Sequence, residues 1–411
     1  MALARYYVRI KVSKRVLIPE ELEGGIVIGD VSYVCRESDI LVLSYGVIVG
    51  SDRYDKWHEV FSYDNGKTWT KTRYLFSAKQ TKKGVYRYSG LTYFLDEEKD
   101  TLIMLYDRGF YPEDTPTKAL WQVYWRILDK STFEWSPEKE VRALDTDDEK
   151  YIFPGVMRGS LAISRSVPIK TKQGKILVPC QLKAMDDKGN IWFPFSHYFS
   201  PFYESAFLIG EWKHGEIVWE ISEKITIDPY VSCRLCEPTV VELKDGRLFT
   251  IMRGDNGAFP EKPGYKWYSI SEDGGYTWTP PKPLKYDDGS PLYSPSSCSL
   301  LFRNTRTGKV YWIANIVDKN PVGNRPRYPL CIAEIDEEKL AVKKKTVTII
   351  DTKRPEDSPM VQLSNFRSYE DRKTGDIVLF MARYGERGNK GDLIIRSPLY
   401  MYRIRLINDE C

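Results

Sequence analysis

Charged and hydroxyl-bearing residues recur in this chain just ahead of short apolar stretches, at intervals of roughly 60 to 75 residues. Asp30 precedes the first stretch, Arg87 and Tyr88 the second, and Arg158 the third. Arg234 and Glu237 precede the fourth, Ser294, Ser296 and Ser297 the fifth, and Asn365 and Arg367 the sixth. Guanidinium groups gathered in one concave site suit bidentate binding of carboxylate or sulfate. The alternative use of such arginines is pairing with Asp and Glu on a solvated rim, and residue type alone leaves both open.

Chemistry of that kind needs a scaffold that brings distant residues to one place, and a repeated unit supplies it. A short polar turn, usually with Gly, is followed by an apolar run around Ile40, Leu102, Ile176, Leu248, Val310 and Ile377. Another strand-like segment precedes each turn. Apolar residues alternate or run in short blocks, without a sustained helical period. The spacing fits one four-stranded blade plus its loops. The chain is therefore predicted to be all-β, a six-bladed β-propeller filling residues 1–411 as one domain, with these polar residues at the starts of the inner strands. Both ends alternate in period two, and residues 4–12 are predicted to close the ring by pairing into the last blade.

Two eight-residue segments share one motif. Ser62-Tyr-Asp-Asn-Gly-Lys-Thr-Trp69 and Ser271-Glu-Asp-Gly-Gly-Tyr-Thr-Trp278 both read S-x-D-x-G-x-T-W. In each, an aspartate can hold a turn through backbone N–H groups, a glycine supplies a positive φ, and a tryptophan can plug the gap beneath. The motif resembles the Asp box, or BNR repeat, of the sialidase superfamily, whose members are β-propellers with their active site on the opposite face. The run from Cys236 to Arg253 resembles the fourth-blade segment of exo-sialidases. That resemblance gives Glu237 the place of the glutamate assisting the nucleophile and Arg253 that of a carboxylate-binding arginine. In the stretch 315–330, Arg327 is the first candidate for a further such arginine and Arg325 the second. The loop 50–57 looks like the one carrying the acid/base aspartate, with Asp55 or Asp52 in that role. The resemblance also has departures. The first inner strand has Asp30 where sialidases carry Arg-Ile-Pro, and Phe366 falls at the position of their nucleophilic tyrosine, with Tyr369 on the opposite face of the strand. Sialic acid is therefore disfavoured as substrate.

The expectation is a glycoside hydrolase acting on an acidic or otherwise anion-bearing sugar. Its catalytic carboxylates are Glu237 with Asp30 or Asp55, one protonated to help the leaving oxygen and one ionised. Its substrate ligands are Arg87, Tyr88, Arg158, Arg253, Arg327 and Arg367. Two rivals remain: a polysaccharide lyase using His197 and tyrosines, and a propeller that binds glycan or protein without catalysis. Residues 191–212 are dense in aromatics, and either project over the pocket to stack on sugar faces or pack as ordinary strands.

The formal charge of +4 is too small to imply nucleic-acid binding. Seven Cys are scattered in no disulfide framework. Cys233 and Cys236 form a lone C-x-x-C, read as buried strand thiols rather than a metal half-site. No phosphate loop, H-E-x-x-H or G-x-S-x-G is present, so no cofactor and no metal is expected. Neither a signal peptide nor a membrane-spanning run is visible, giving a cytoplasmic expectation with no membrane partner.

Overall fold

The alternating segments pair as six antiparallel sheets arranged as the blades of a propeller. The structure is a computed structural model that describes residues 9–18, 25–144, 149–163, 167–386 and 397–407. Blade one is Gly25–Tyr33, Leu41–Gly50, Arg53–Ser62 and Arg73–Ser77, from inner to outer strand. Blade two is Gly84–Asp96, Thr101–Pro112, Leu120–Ile127 and Lys139–Glu140, with Lys79–Thr81 added beside its inner strand. Blade three is Leu161–Ala162, Ile176–Lys183, Tyr203–Lys213 and Glu216–Ile221, and blade four is Cys236–Glu242, Leu248–Arg253, Lys266–Ser271 and Lys282–Pro283. Blade five is Leu300–Arg303, Val310–Asn315 and Leu330–Asp336, the last flanked by Ala341–Val342 and Thr348–Asp351.

Blade six joins both ends of the described chain. Arg367–Glu370, Ile377–Ala382 and Leu399–Ile407 are followed by Arg9–Ile18 as the outer strand, paired from Arg9 opposite Ile407 to Ile18 opposite Leu399. The pairing strand thus runs further along the chain than the expected 4–12, and residues 4–8 lie outside the described residues.

Each blade buries its two faces against its neighbours. Leu43, Val60, Val378 and Phe380 share a core between blades six and one, and Ile313, Leu330, Ile377 and Leu379 share one between blades five and six. Burying a side chain of this size is worth about 1.5–3 kcal/mol. Polar clips reinforce the ring near the inner strands. Asp30 in blade one accepts hydrogen bonds from Tyr93 N at 2.7 Å and Thr92 Oγ1 at 2.8 Å in blade two. Asp107 in blade two accepts from Ile163 N in blade three at 2.9 Å, and Thr239 Oγ1 in blade four from Leu301 N in blade five at 2.8 Å.

Both S-x-D-x-G-x-T-W segments form the turn between the third and outer strands of their blades. Asp64 Oδ1 accepts from Thr68 N at 2.8 Å, and Asp273 Oδ1 from Thr277 N at 3.0 Å. Ser62 and Ser271 hydroxyls accept from Gly66 N and Gly275 N at 2.8 and 2.9 Å. Gly66 and Gly275 sit at φ +79° and +101°, a region that β-carbons disfavour. Trp278 stacks on Phe207 of blade three at 4.4 Å, while Trp69 meets Phe380 of blade six edge-on at 6.5 Å. Each tryptophan therefore fastens its blade to the one before. Among the described residues no helix is long and apolar enough to cross a membrane.

Candidate active site

Pro238 shapes the local backbone at the centre of the site. It has no N–H to donate, so the ladder of blade four skips from Cys236 opposite Arg253 to Thr239 opposite Ile251. Glu237 lies in that bulge at φ +46°, although a residue before proline is normally held to extended conformations. Asn365 and Asp52 adopt similar positive values, +59° and +55°. All three line one cavity of about 500 Å³. Strained non-glycine backbone of this kind costs about 1–3 kcal/mol per residue and persists where surrounding structure enforces it.

The cavity opens at the end of the propeller away from the two tryptophan turns. Strand Arg53–Ser62 begins next to Asp52, which lines the cavity, and ends at Ser62, where the turn begins. Blade four contributes Glu237 at the start of its inner strand, Arg253 at the end of the second, and Asp255 just beyond. Blade three supplies Gln181 and Tyr203, and the connection after blade five's second strand supplies Arg325 and Arg327.

A continuous hydrogen-bonded chain ties these groups together. Arg253 Nη1 donates to Glu237 Oε1 at 2.8 Å, and its Nε donates to Ser296 Oγ at 2.8 Å. Ser296 donates to Asp255 Oδ2 at 3.0 Å, which also accepts from Tyr198 Oη at 2.9 Å and pairs with Arg234 Nη2 at 2.9 Å. Gln181 Oε1 accepts from Glu237 N at 3.2 Å, and Gln362 Oε1 from Arg327 Nη1 at 2.8 Å. Three buried polar atoms of this set have no hydrogen-bond partner among the described residues: Glu237 Oε2, Arg234 Nε and Arg327 Nε. Unmet groups in a low-dielectric site are expensive and point to a polar ligand that would complete them.

Burial pushes the Glu237 carboxyl up, but the adjacent Arg253, and behind it Arg327 and Lys266, outweigh burial and hold it below its ordinary value. Glu237 is thus ionised at neutral pH. Burial likewise works against Asp255, and Arg234 and Arg253 hold that carboxyl low. Burial and the repulsion of Arg253 bring Arg327 down to about 10, still a cation at neutral pH. Burial raises the Cys236 thiol to about 11, which leaves it protonated. Cys233 and Cys236 are both free and buried. No group of three or more potential metal ligands occurs among the described residues.

Of the residues expected from sequence, Glu237, Arg253 and Arg327 come together, with Arg325, Arg234, Asp52 and Asn365 also lining the cavity and Ser296 bonded to Arg253. The others are placed elsewhere, each for a physical reason. Asp30 is buried in the clip between blades, its carboxylate used by backbone and Thr92, with Arg367 Nε at 3.8 Å. Arg367 donates to the Gly29 carbonyl at 3.0 Å and lies off the cavity. Arg87 grips Asp114 with two nitrogens at 3.0 and 3.1 Å and Asp55 with the third at 2.9 Å. This ion pair takes Asp55 out of the cavity, so that Asp52 is the aspartate of its loop that lines it. Tyr88 stacks on Phe76 at 4.5 Å, and Arg158 pairs with Glu140 and donates to the Glu149 carbonyl at 2.9 Å. Phe366 is buried in the core between blades five and six, while Tyr369 packs against Tyr33 and Phe380. His197 faces the Ala258 carbonyl at 3.3 Å and does not line the cavity, whereas Tyr198 does. Asp255, Gln181, Gln362 and Tyr203 were not anticipated. Asp255 stands two residues after Arg253, a spacing that continues the strand's inward face and was readable. The two glutamines carry no such signal.

Comparison with known proteins bears on the family and the fold. The family described as "BNR repeat-like domain" matches residues 57–358. A search of curated proteins gives no match. Among solved structures, a protein of unknown function from Dyadobacter fermentans is similar over 97% of this chain and 99% of its own, with a TM-score of 0.62 and 13% identity. The intramolecular trans-sialidase from Ruminococcus gnavus, solved with oseltamivir carboxylate, is similar over 92% of this chain and 94% of its own, with a TM-score of 0.59 and 15% identity. Trypanosoma rangeli sialidase gives a TM-score of 0.63 and 13% identity over 95% of this chain, which spans 59% of the sialidase's length. Likeness at these identities speaks to the fold.

Proposed function

From the premise that this chain belongs to the BNR repeat-like domain family and has the sialidase-superfamily fold, we propose that it is a glycoside hydrolase acting on an anion-bearing sugar. The observation that carries this reading is the cavity's combination of an ionised, partly unsatisfied glutamate with several arginines, two of them holding unpartnered donors. Unmet N–H groups on cations favour an anionic ligand. Glu237 would act as the base that draws a proton from the attacking water, with Arg253 fixing its orientation. Asp52, exposed at the mouth and carried by the opposite side of the ring, would donate a proton to the leaving oxygen. Asp255 holds Tyr198, Ser296 and Arg234 in place behind them. Of the residues the lyase reading used, His197 lies off the cavity, whereas tyrosines Tyr198 and Tyr203 line it.

The test is release of reducing sugar from a panel of glycans bearing uronic acids, sulfated sugars and sialic acid. Wild-type protein should cleave an acidic glycan, and Glu237→Gln should slow cleavage about a hundredfold or more while leaving binding largely intact. Binding without any cleavage across the panel would convert the reading to a glycan-binding propeller. A product absorbing in the near ultraviolet would convert it to a lyase.

A further inference from the structure

We propose that the aromatic rim built from residues 191–202 and Tyr230 is a second carbohydrate subsite, which holds the sugars next to the one lodged in the cavity. The substrate is then an oligosaccharide or polysaccharide chain rather than a small glycoside. The proposal rests on the reading of the cavity as a sugar site.

The aromatic stretch divides at Tyr203. From Tyr203 onward it is the third strand of blade three, with Phe207 and Leu208 in the core. Before Tyr203 it is a connection at the cavity mouth, and there its rings are displayed. Phe199 is 68% exposed and lines the cavity at the same time. Trp192, Phe193 and Tyr230 are 44%, 39% and 59% exposed. Large rings left in water forfeit burial energy and mark interaction sites when they gather.

These rings are held rather than loose. Tyr198, whose ring lies 5.0 Å from that of Phe199, is fixed by Asp255 and Arg234 on the cavity floor. Trp192 is strapped by backbone bonds from its N–H to the Ala184 carbonyl and from Phe202 N–H to its own carbonyl, and meets the Phe202 ring edge-on at 5.4 Å. Phe195 packs against Tyr230 at 5.2 Å and Phe259 at 4.9 Å. A rigid ring offers contact at small entropic loss. A pyranose presents a face of C–H groups with hydroxyls around its edge. It can lie on such a ring and keep its hydroxyls in water, whereas a protein partner would need a continuous apolar patch. Continuity with a polar, arginine-bearing cavity through Phe199 selects the sugar chain.

Calorimetric titration of the full chain with uronic-acid and sulfated-sugar monosaccharides, and with their oligomers of increasing length, tests this. Wild-type affinity should rise with length, and Trp192→Ala and Phe193→Ala, neither of which lines the cavity, should each remove about tenfold of that gain while leaving monosaccharide affinity unchanged. Arg253→Ala should do the reverse, lowering monosaccharide affinity and sparing the gain with length. No gain with length across the panel, or a gain unaltered by the aromatic variants, overturns the proposal even if the cavity binds monosaccharides. Oligomers that bind through the rim when no monosaccharide binds would uphold the platform and sink the cavity reading instead. Gel filtration provides the remaining check: a dimer that Phe199→Ala converts to monomer would make the rim a protein interface, against the proposal.

Discussion

Glu237 is held in a left-handed backbone conformation immediately before a proline, in contact with Arg253. Its depressed pKa has a consequence for stability. As pH falls, the unfolded chain takes up the proton near the ordinary value of 4.5, before the folded carboxylate does. The ion pair's contribution is therefore complete above that value and is lost as pH drops through the lower folded value. Relative to Glu237→Gln, wild-type stability in urea should decline progressively below about pH 4.5; a constant difference across that range would contradict an ionised Glu237. Arg253 acts on both sides, as partner of Glu237 and as ligand. Arg253→Ala should weaken binding of an acidic sugar by roughly 1.5–3 kcal/mol, the value of a charged hydrogen bond, and titration of wild type and variant would show it. Glu237 and Arg253 were legible because the run from Cys236 to Arg253 resembles the fourth-blade segment of exo-sialidases, in which a glutamate opens the inner strand and an arginine ends the second.

At the scale of the element, the tryptophan turns are the most locally determined parts of the molecule. Asp273 accepts from Tyr276 N, Thr277 N and the hydroxyls of Ser271 and Thr277, all within a few residues. Its replacement by Ala should lower unfolding stability by about 1–3 kcal/mol. Activity should not change, because the turn lies at the opposite end of the blade from the cavity. A parallel loss of turnover and stability would argue that the two ends of the blade are coupled. The aromatic connection before Tyr203 was less legible. Its composition matches that of the strand that follows, and only the partners of Trp192 and Tyr198 separate display from burial.

At the scale of the whole molecule, the strand Arg9–Ile18 completes blade six from the other end of the chain. Its removal would leave Leu399–Ile407 as an open edge with unpaired backbone groups, a template for association. Deleting residues 1–18 should lower the melting temperature by roughly 5 °C or more and produce aggregation visible by light scattering. A truncated protein that melts like the full chain would mean the ring does not depend on this pairing. The cores shared between successive blades extend the same logic, since each blade buries apolar side chains against its neighbours.

The sequence by itself determined the number of blades, their order and the position of both tryptophan turns. These follow from alternation, turn chemistry and repeat spacing, which act over short stretches of chain. It also singled out Glu237, Arg253 and Arg327. It did not decide which charged residues remain available to a ligand, because that depends on partners far away in the chain. Arg87 is consumed by Asp114 and Asp55, Arg158 by Glu140, and Asp30 by the backbone of the next blade. A guanidinium already holding two carboxylates has little left to offer a substrate. Only the closed ring, by bringing those partners within hydrogen-bond distance, distinguishes a cation spent on the scaffold from one turned toward the cavity.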